Sequence, residues 1–157
     1  MAEEGDDIYH GVIEWYILEK GQDIGYLAGR TQPLTINVTR NQKADHHLKF
    51  DDGDYLVFYE YFAVNDYLAH AFMYKDGYMV DLSAFWINAM KAKVYQGTYL
   101  QFYEYSNSTF KWTFTTLKWQ PQNNQFFLVK RQSFDFSHPQ AQQWVENWSN
   151  PGFHLPF

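Results

Sequence analysis

The chain has 157 residues, enough for one domain with a sizeable core, and its 46% hydrophobic and 19% charged residues remove it from the disordered class. A net charge of −6 leaves no Lys/Arg stripe of the kind that strong nucleic-acid binding needs, and no apolar run approaches the roughly 20 residues of a membrane-spanning helix. The absence of cysteine excludes disulfides, thiolate zinc sites and cysteine nucleophiles, while 13 Tyr, 14 Phe and 6 Trp favour strands, because flat side chains pack well on a pleated surface.

In chain order, residues 1–7 are acidic and small and read as a disordered N-terminus, with residues 8–157 forming a single domain. Ile8 to Leu18 and Asp23 to Leu27 are rich in β-branched and aromatic residues and flank the turn Glu19-Lys20-Gly21-Gln22, which predicts a hairpin region. Leu34 to Thr39 alternates apolar and polar with period two, as a half-buried strand does, and Asn41 to Lys49 reads as a loop or one short helix.

The strongest signal follows. Gly53-Asp54-Tyr55-Leu56-Val57-Phe58-Tyr59-Glu60-Tyr61 recurs as Gly97-Thr98-Tyr99-Leu100-Gln101-Phe102-Tyr103-Glu104-Tyr105, 44 residues on and changed at two positions. A period of that size is characteristic of a repeated supersecondary unit. After the first motif come a strand from Tyr67 to Tyr74, the turn Lys75-Asp76-Gly77, a strand from Tyr78 to Val80, and a helix predicted from the spacing of Leu82, Phe85, Trp86, Ala89 and Met90. After the second come strands Phe110 to Trp119 and Gln125 to Gln132. A helix then begins near Ser137, with Pro139 in its first turn and Ala141, Trp144, Val145 and Trp148 on one stripe. The expected fold is α+β and predominantly antiparallel β, with two pseudo-repeated βββα units over about 53–95 and 97–149 and an N-terminal hairpin region at 8–49 that is itself a candidate degenerate third copy.

Side chains alternate between the faces of a strand, so Leu56, Phe58 and Glu60 oppose Tyr55, Val57, Tyr59 and Tyr61, and the second motif divides likewise. Both faces are apolar enough to be core, and the sequence leaves open which one is buried. If the Tyr face is free, Tyr59, Tyr61, Tyr103 and Tyr105, joined by Trp112 and Trp119, make a rigid aromatic strip suited to stacking on a glycan or docking a protein partner. If the helices cover it, the same rings are a second packed layer. Glu60 and Glu104, placed alike in the two motifs, are the alternative: an acid/base pair of the glycosidase type, whose separation would set the stereochemistry.

Asp45-His46-His47 and Asp51-Asp52-Gly53-Asp54 contain metal-ligating side chains, but their spacing fits no established site and the second is first of all a turn, so no metal and no cofactor is expected. Nor is there a nucleophile elbow, a phosphate-binding glycine loop or a zinc-protease motif. The expectation is therefore an extracellular binding module, secreted or at a bacterial cell surface after loss of a leader, with a cytoplasmic location as the other compartment open to a cysteine-free chain. Glycoside hydrolysis by Glu60 and Glu104, and a homodimer built on the aromatic face, are the competing readings.

Overall fold

A computed structural model describes residues 5–41, 47–63, 66–75, 78–87 and 92–156. The strands are β1 (Ile8–Gly11), β2 (Glu14–Ile17), β3 (Tyr26–Arg30), β4 (Leu34–Asn37), β5 (His47–Phe50), β6 (Gly53–Ala63), β7 (Asp66–Lys75), β8 (Tyr78–Ile87), β9 (Lys93–Tyr95), β10 (Tyr99–Ser106), β11 (Lys111–Gln120) and β12 (Gln125–Asp135). A single helical turn, α1 (Val38–Asn41), follows β4, and α2 (Pro139–Glu146) follows β12. Among the described residues every ladder is antiparallel. The protein is thus α+β and mostly β, as the aromatic and β-branched content implies.

Two four-stranded meanders dominate, β5-β6-β7-β8 and β9-β10-β11-β12. Each nine-residue motif lies at the second strand of its meander. Two two-stranded ladders, β1-β4 and β2-β3, form the N-terminal part. The acidic terminus is tied down at its end: Asn37 Nδ2 donates to Asp6 Oδ2 over 2.8 Å, and Asp7 N donates to Thr39 Oγ1 over 2.9 Å.

The main core lies between the two meanders. Leu48, Phe50, Tyr55, Val57, Tyr59, Ala71 and Met73 come from the first, and Ala92, Leu100, Phe102 and Trp119 from the second. The two motifs therefore bury different faces in this shared core. β6 presents its Tyr55/Val57/Tyr59 side, whereas β10 presents Leu100 and Phe102. The Leu56/Phe58/Glu60 side of β6 turns instead to the N-terminal strands, where the Trp15 ring lies 4.9 Å from Phe58 and 5.0 Å from Phe72. The Tyr103 side of β10 turns to α2, where Phe114, Ala141, Trp144, Trp148 and Leu155 form a second core against Tyr103, Trp112 and Phe134. The layers thus run from N-terminal strands to first meander, second meander and helix, each meander turning the same side of its motif toward the next layer.

Some predicted elements differ. Leu82 to Ile87, expected in a helix, belongs to β8, which pairs with β7 from Tyr78 opposite Lys75 to Ile87 opposite Tyr67, with a register shift between Ala71 and Phe72. The segment Tyr-Met-Val-Asp-Leu-Ser-Ala-Phe-Trp-Ile is also β-rich in composition, and the open edge of β7 offers it a full ladder of backbone hydrogen bonds, which outweighs an ambiguous apolar spacing. Residues 88–91, which include the expected helix positions Ala89 and Met90, lie outside the described residues. His47 to Lys49, expected as loop or helix, lie with Phe50 in the edge strand β5.

Candidate functional site

The six predicted ring positions separate into two groups. Tyr59 is 1% exposed and Trp119 2%, so both are core and neither reaches a ligand. Trp119 is held by its indole N–H, which donates to Asp52 Oδ2 over 2.7 Å, and the same oxygen accepts the Tyr55 hydroxyl over 2.9 Å. The phenol of Tyr55 is pushed far above its ordinary pKa, first by burial, then by that hydrogen bond and by the Asp52 charge. Tyr61 lies on β6, with its side chain outside the described set.

Tyr103, Tyr105 and Trp112 do come together. Register places Tyr105 opposite Trp112 and Trp112 opposite Phe134, on the side of the sheet that α2 covers. Tyr103, in edge contact with Trp148 at 4.9 Å, is half-buried under the helix, and burial raises its pKa. Trp112 bridges inside and outside: its ring lies 5.6 Å from Tyr103, 4.7 Å from Tyr105 and 6.1 Å from Phe136, nearly parallel to Phe136 at 22°. Phe136 is 51% exposed, and its N–H donates to Phe110 O over 2.9 Å, which fixes the backbone just before the helix.

α2 completes the site. His138, exposed, is its N-cap and accepts from Gln140 N through Nδ1 over 3.2 Å, one residue beyond Ser137, near which the helix was expected to begin, with Pro139 in the first turn as expected. The spacing i, i+3, i+4 then brings Gln142, Val145 and Glu146 onto one helix face beside Trp112 and Phe136, and these five residues line a cavity of about 260 Å³. Two ring faces, one amide and one carboxylate around an open cleft are the elements of a small-ligand site: apolar area for affinity and a few polar atoms for orientation. Phe136, Gln142 and Glu146 were not among the residues singled out from sequence. The signal for them was present in the exposed helix face following an aromatic residue that closes a strand.

Glu60 and Glu104 are not brought together. Glu60 shares the side of β6 that meets the N-terminal strands, whereas Glu104 shares the Leu100/Phe102 side of β10, so the first meander stands between them. A glycosidase pair needs both carboxyls on one cleft. The partner of Glu60 is one that sequence reasoning passed over: Glu60 Oε2 lies 2.9 Å from His70 Nε2 and Oε1 accepts from Thr35 N over 3.3 Å, with the two side chains 19% and 12% exposed. His70 stands opposite Phe58 and Leu68 opposite Glu60, so the pair is a diagonal cross-strand contact set by the β6-β7 register.

Among the described residues no three His, Asp or Glu side chains converge as metal ligands. Asp45 and His46 lie outside that set. The Asp-Asp-Gly-Asp turn uses its carboxylates on the protein itself: Asp51 toward Thr98 at 3.5 Å, Asp52 on Tyr55 and Trp119, and Asp54 on His47 at 3.2 Å. No described helix is long and apolar enough to cross a membrane. No family model, curated protein or solved structure matches this chain.

Proposed function

We propose that this protein is an extracellular binding module that takes a carbohydrate in the cleft formed by Trp112, Phe136, Gln142, Val145 and Glu146. The observation that carries the reading is the near-parallel Trp112–Phe136 pair, 22° apart with Phe136 half exposed, opening beside an amide and a carboxylate on α2. A sugar ring has an apolar C–H face that lies flat on an aromatic ring and a rim of hydroxyls that need donors and acceptors. The cleft supplies both from rigid elements, at small entropic cost for the rings. Tyr105, 5.5 Å from Phe136, extends the apolar floor.

The test is a screen of soluble neutral oligosaccharides by tryptophan fluorescence and NMR titration. The expected result is saturable binding that shifts Trp112 and Phe136 signals and weakens about tenfold or more in Phe136→Ala and in Glu146→Ala, with the unfolding midpoint of Phe136→Ala close to that of the parent. Binding that survives Phe136→Ala unchanged, or no saturable response to any glycan, overturns the reading.

A further inference from the structure

The aromatic cleft has a sign as well as a shape. Of its lining residues, Trp112, Phe136, Gln142, Val145 and Glu146, only the last carries a charge, and that charge is negative. Glu146 is the final residue of α2 and is exposed, and no basic residue stands in the last turn of that helix. The end of a helix where carbonyls are left over is its negative pole, so a carboxylate there is repelled by its own helix. The faces of aromatic rings are negative too, through the ring quadrupole. Carboxylate, helix end and two rings thus place negative potential around one opening.

No cation of the described residues answers it. Among them the ion pairs join Arg30 to Glu14, His47 to Asp54, His70 to Glu60 and Lys111 to Asp135, and Glu146 is in none. The cations that lie over rings are Lys93, over Trp148 and Phe153, and Lys118, over Tyr99, so among the described residues none covers Trp112 or Phe136. Lys111, next to Trp112 in sequence, projects from the other face of β11 by strand alternation and lies 4.0 Å from Asp135.

We propose that the sugar taken by this cleft is an amino sugar bound in its ammonium form, an inference that rests on the carbohydrate reading of the same site. An ammonium is drawn to a ring face when it comes within about 6 Å of the centroid. The Trp112 and Phe136 centroids are 6.1 Å apart and their planes 22° from parallel, so the two faces look in nearly one direction. The ammonium donates to the Glu146 carboxylate, while the C–H face and the remaining hydroxyls of the sugar meet the rings and the Gln142 amide. The cation supplies the charge that the helix end, the carboxylate and the rings all favour.

The experiment is NMR titration of the intact chain with glucosamine, N-acetylglucosamine and glucose trisaccharides of one linkage, with the amine protonated. The glucosamine trisaccharide is expected to bind about tenfold more tightly than either neutral one, and the preference shrinks as salt is added. In Glu146→Gln, which keeps the side-chain length and an acceptor oxygen but removes the charge, the preference falls to about twofold or less while the neutral sugars bind as before. The thermal midpoint of Glu146→Gln stays at or above the parent's, because the carboxylate opposes its own helix end. Equal affinity for all three sugars overturns the inference and leaves the carbohydrate reading standing, whereas binding of none overturns both. A preference that survives Glu146→Gln overturns the inference as well, and so does a midpoint well below the parent's, which would mean that Glu146 serves the fold.

Discussion

Val57 and Gln101 occupy the same place in the two nine-residue motifs and do opposite work. Val57 is buried between the meanders, while Gln101, equally buried, faces away from that core and clamps the C-terminal tail: its Nε2 donates to Leu155 O over 3.1 Å and to Thr116 Oγ1 over 3.2 Å, and its Oε1 accepts from Leu155 N over 2.9 Å. Gln101→Val, which copies the first motif into the second, leaves both Leu155 backbone groups without those partners and is expected to destabilise the fold by about 1–3 kcal/mol, read by urea denaturation, with faster amide exchange at Leu155. Tyr55 makes a second prediction. Its folded-state pKa is raised, so its contribution is complete below about pH 10 and is lost above it, as the unfolded phenol ionises while the folded one keeps its proton. Tyr103, raised by burial, acts in the same sense. Stability should therefore fall as the pH rises above about 10, and more steeply in the parent than in Tyr55→Phe, as measured by the denaturation midpoint at each pH.

At the scale of elements, the connection between the meanders rests on Gly97. Its φ is +60°, a conformation that side chains resist, and a Cβ there would overlap the Asp51 carboxylate, while its carbonyl accepts Asp51 N over 2.8 Å. Gly97→Ala is expected to cost about 1 kcal/mol or more, seen as a lower thermal midpoint. The Glu60–His70 pair makes an analogous connection to the N-terminal strands, and Glu60→Ala should speed amide exchange at Thr35 on β4 well before it affects β10. These elements were legible in the sequence to differing degrees. The run from Tyr99 to Glu146 could be read almost residue by residue, because each strand ended in turn chemistry and the helix announced itself with Pro139 and an apolar stripe. β8 could not, since strand and helix spacing coincide over Leu82 to Ile87 and the free edge of β7 decides between them. The buried faces of β6 and β10 were illegible for a related reason. Both sides of the motif are apolar, so the choice is made by neighbours remote in sequence. The aromatic strip foreseen at Tyr59 and Trp119 is core, while its Trp112 end opens to solvent.

At the scale of the whole molecule, the layers have a direction. The Tyr face of the first meander is covered by the Leu100/Phe102 face of the second, and the Tyr103 face of the second is covered by α2. Ala141→Glu puts a carboxylate at a fully buried helix position and should release α2, exposing Tyr103 and Phe114. The expected outcome is self-association that grows with protein concentration in sedimentation velocity, and a monomer at all concentrations would count against it. A stack of this kind is not closed by rotation onto itself. The N-terminal strands stop it on one side and α2 stops it on the other, so its length is decided by terminators and not by geometry. A further four-stranded layer spliced in ahead of α2, aliphatic on its upstream side and aromatic on its downstream side, would find both terminators still in place. The architecture is therefore extensible by whole layers.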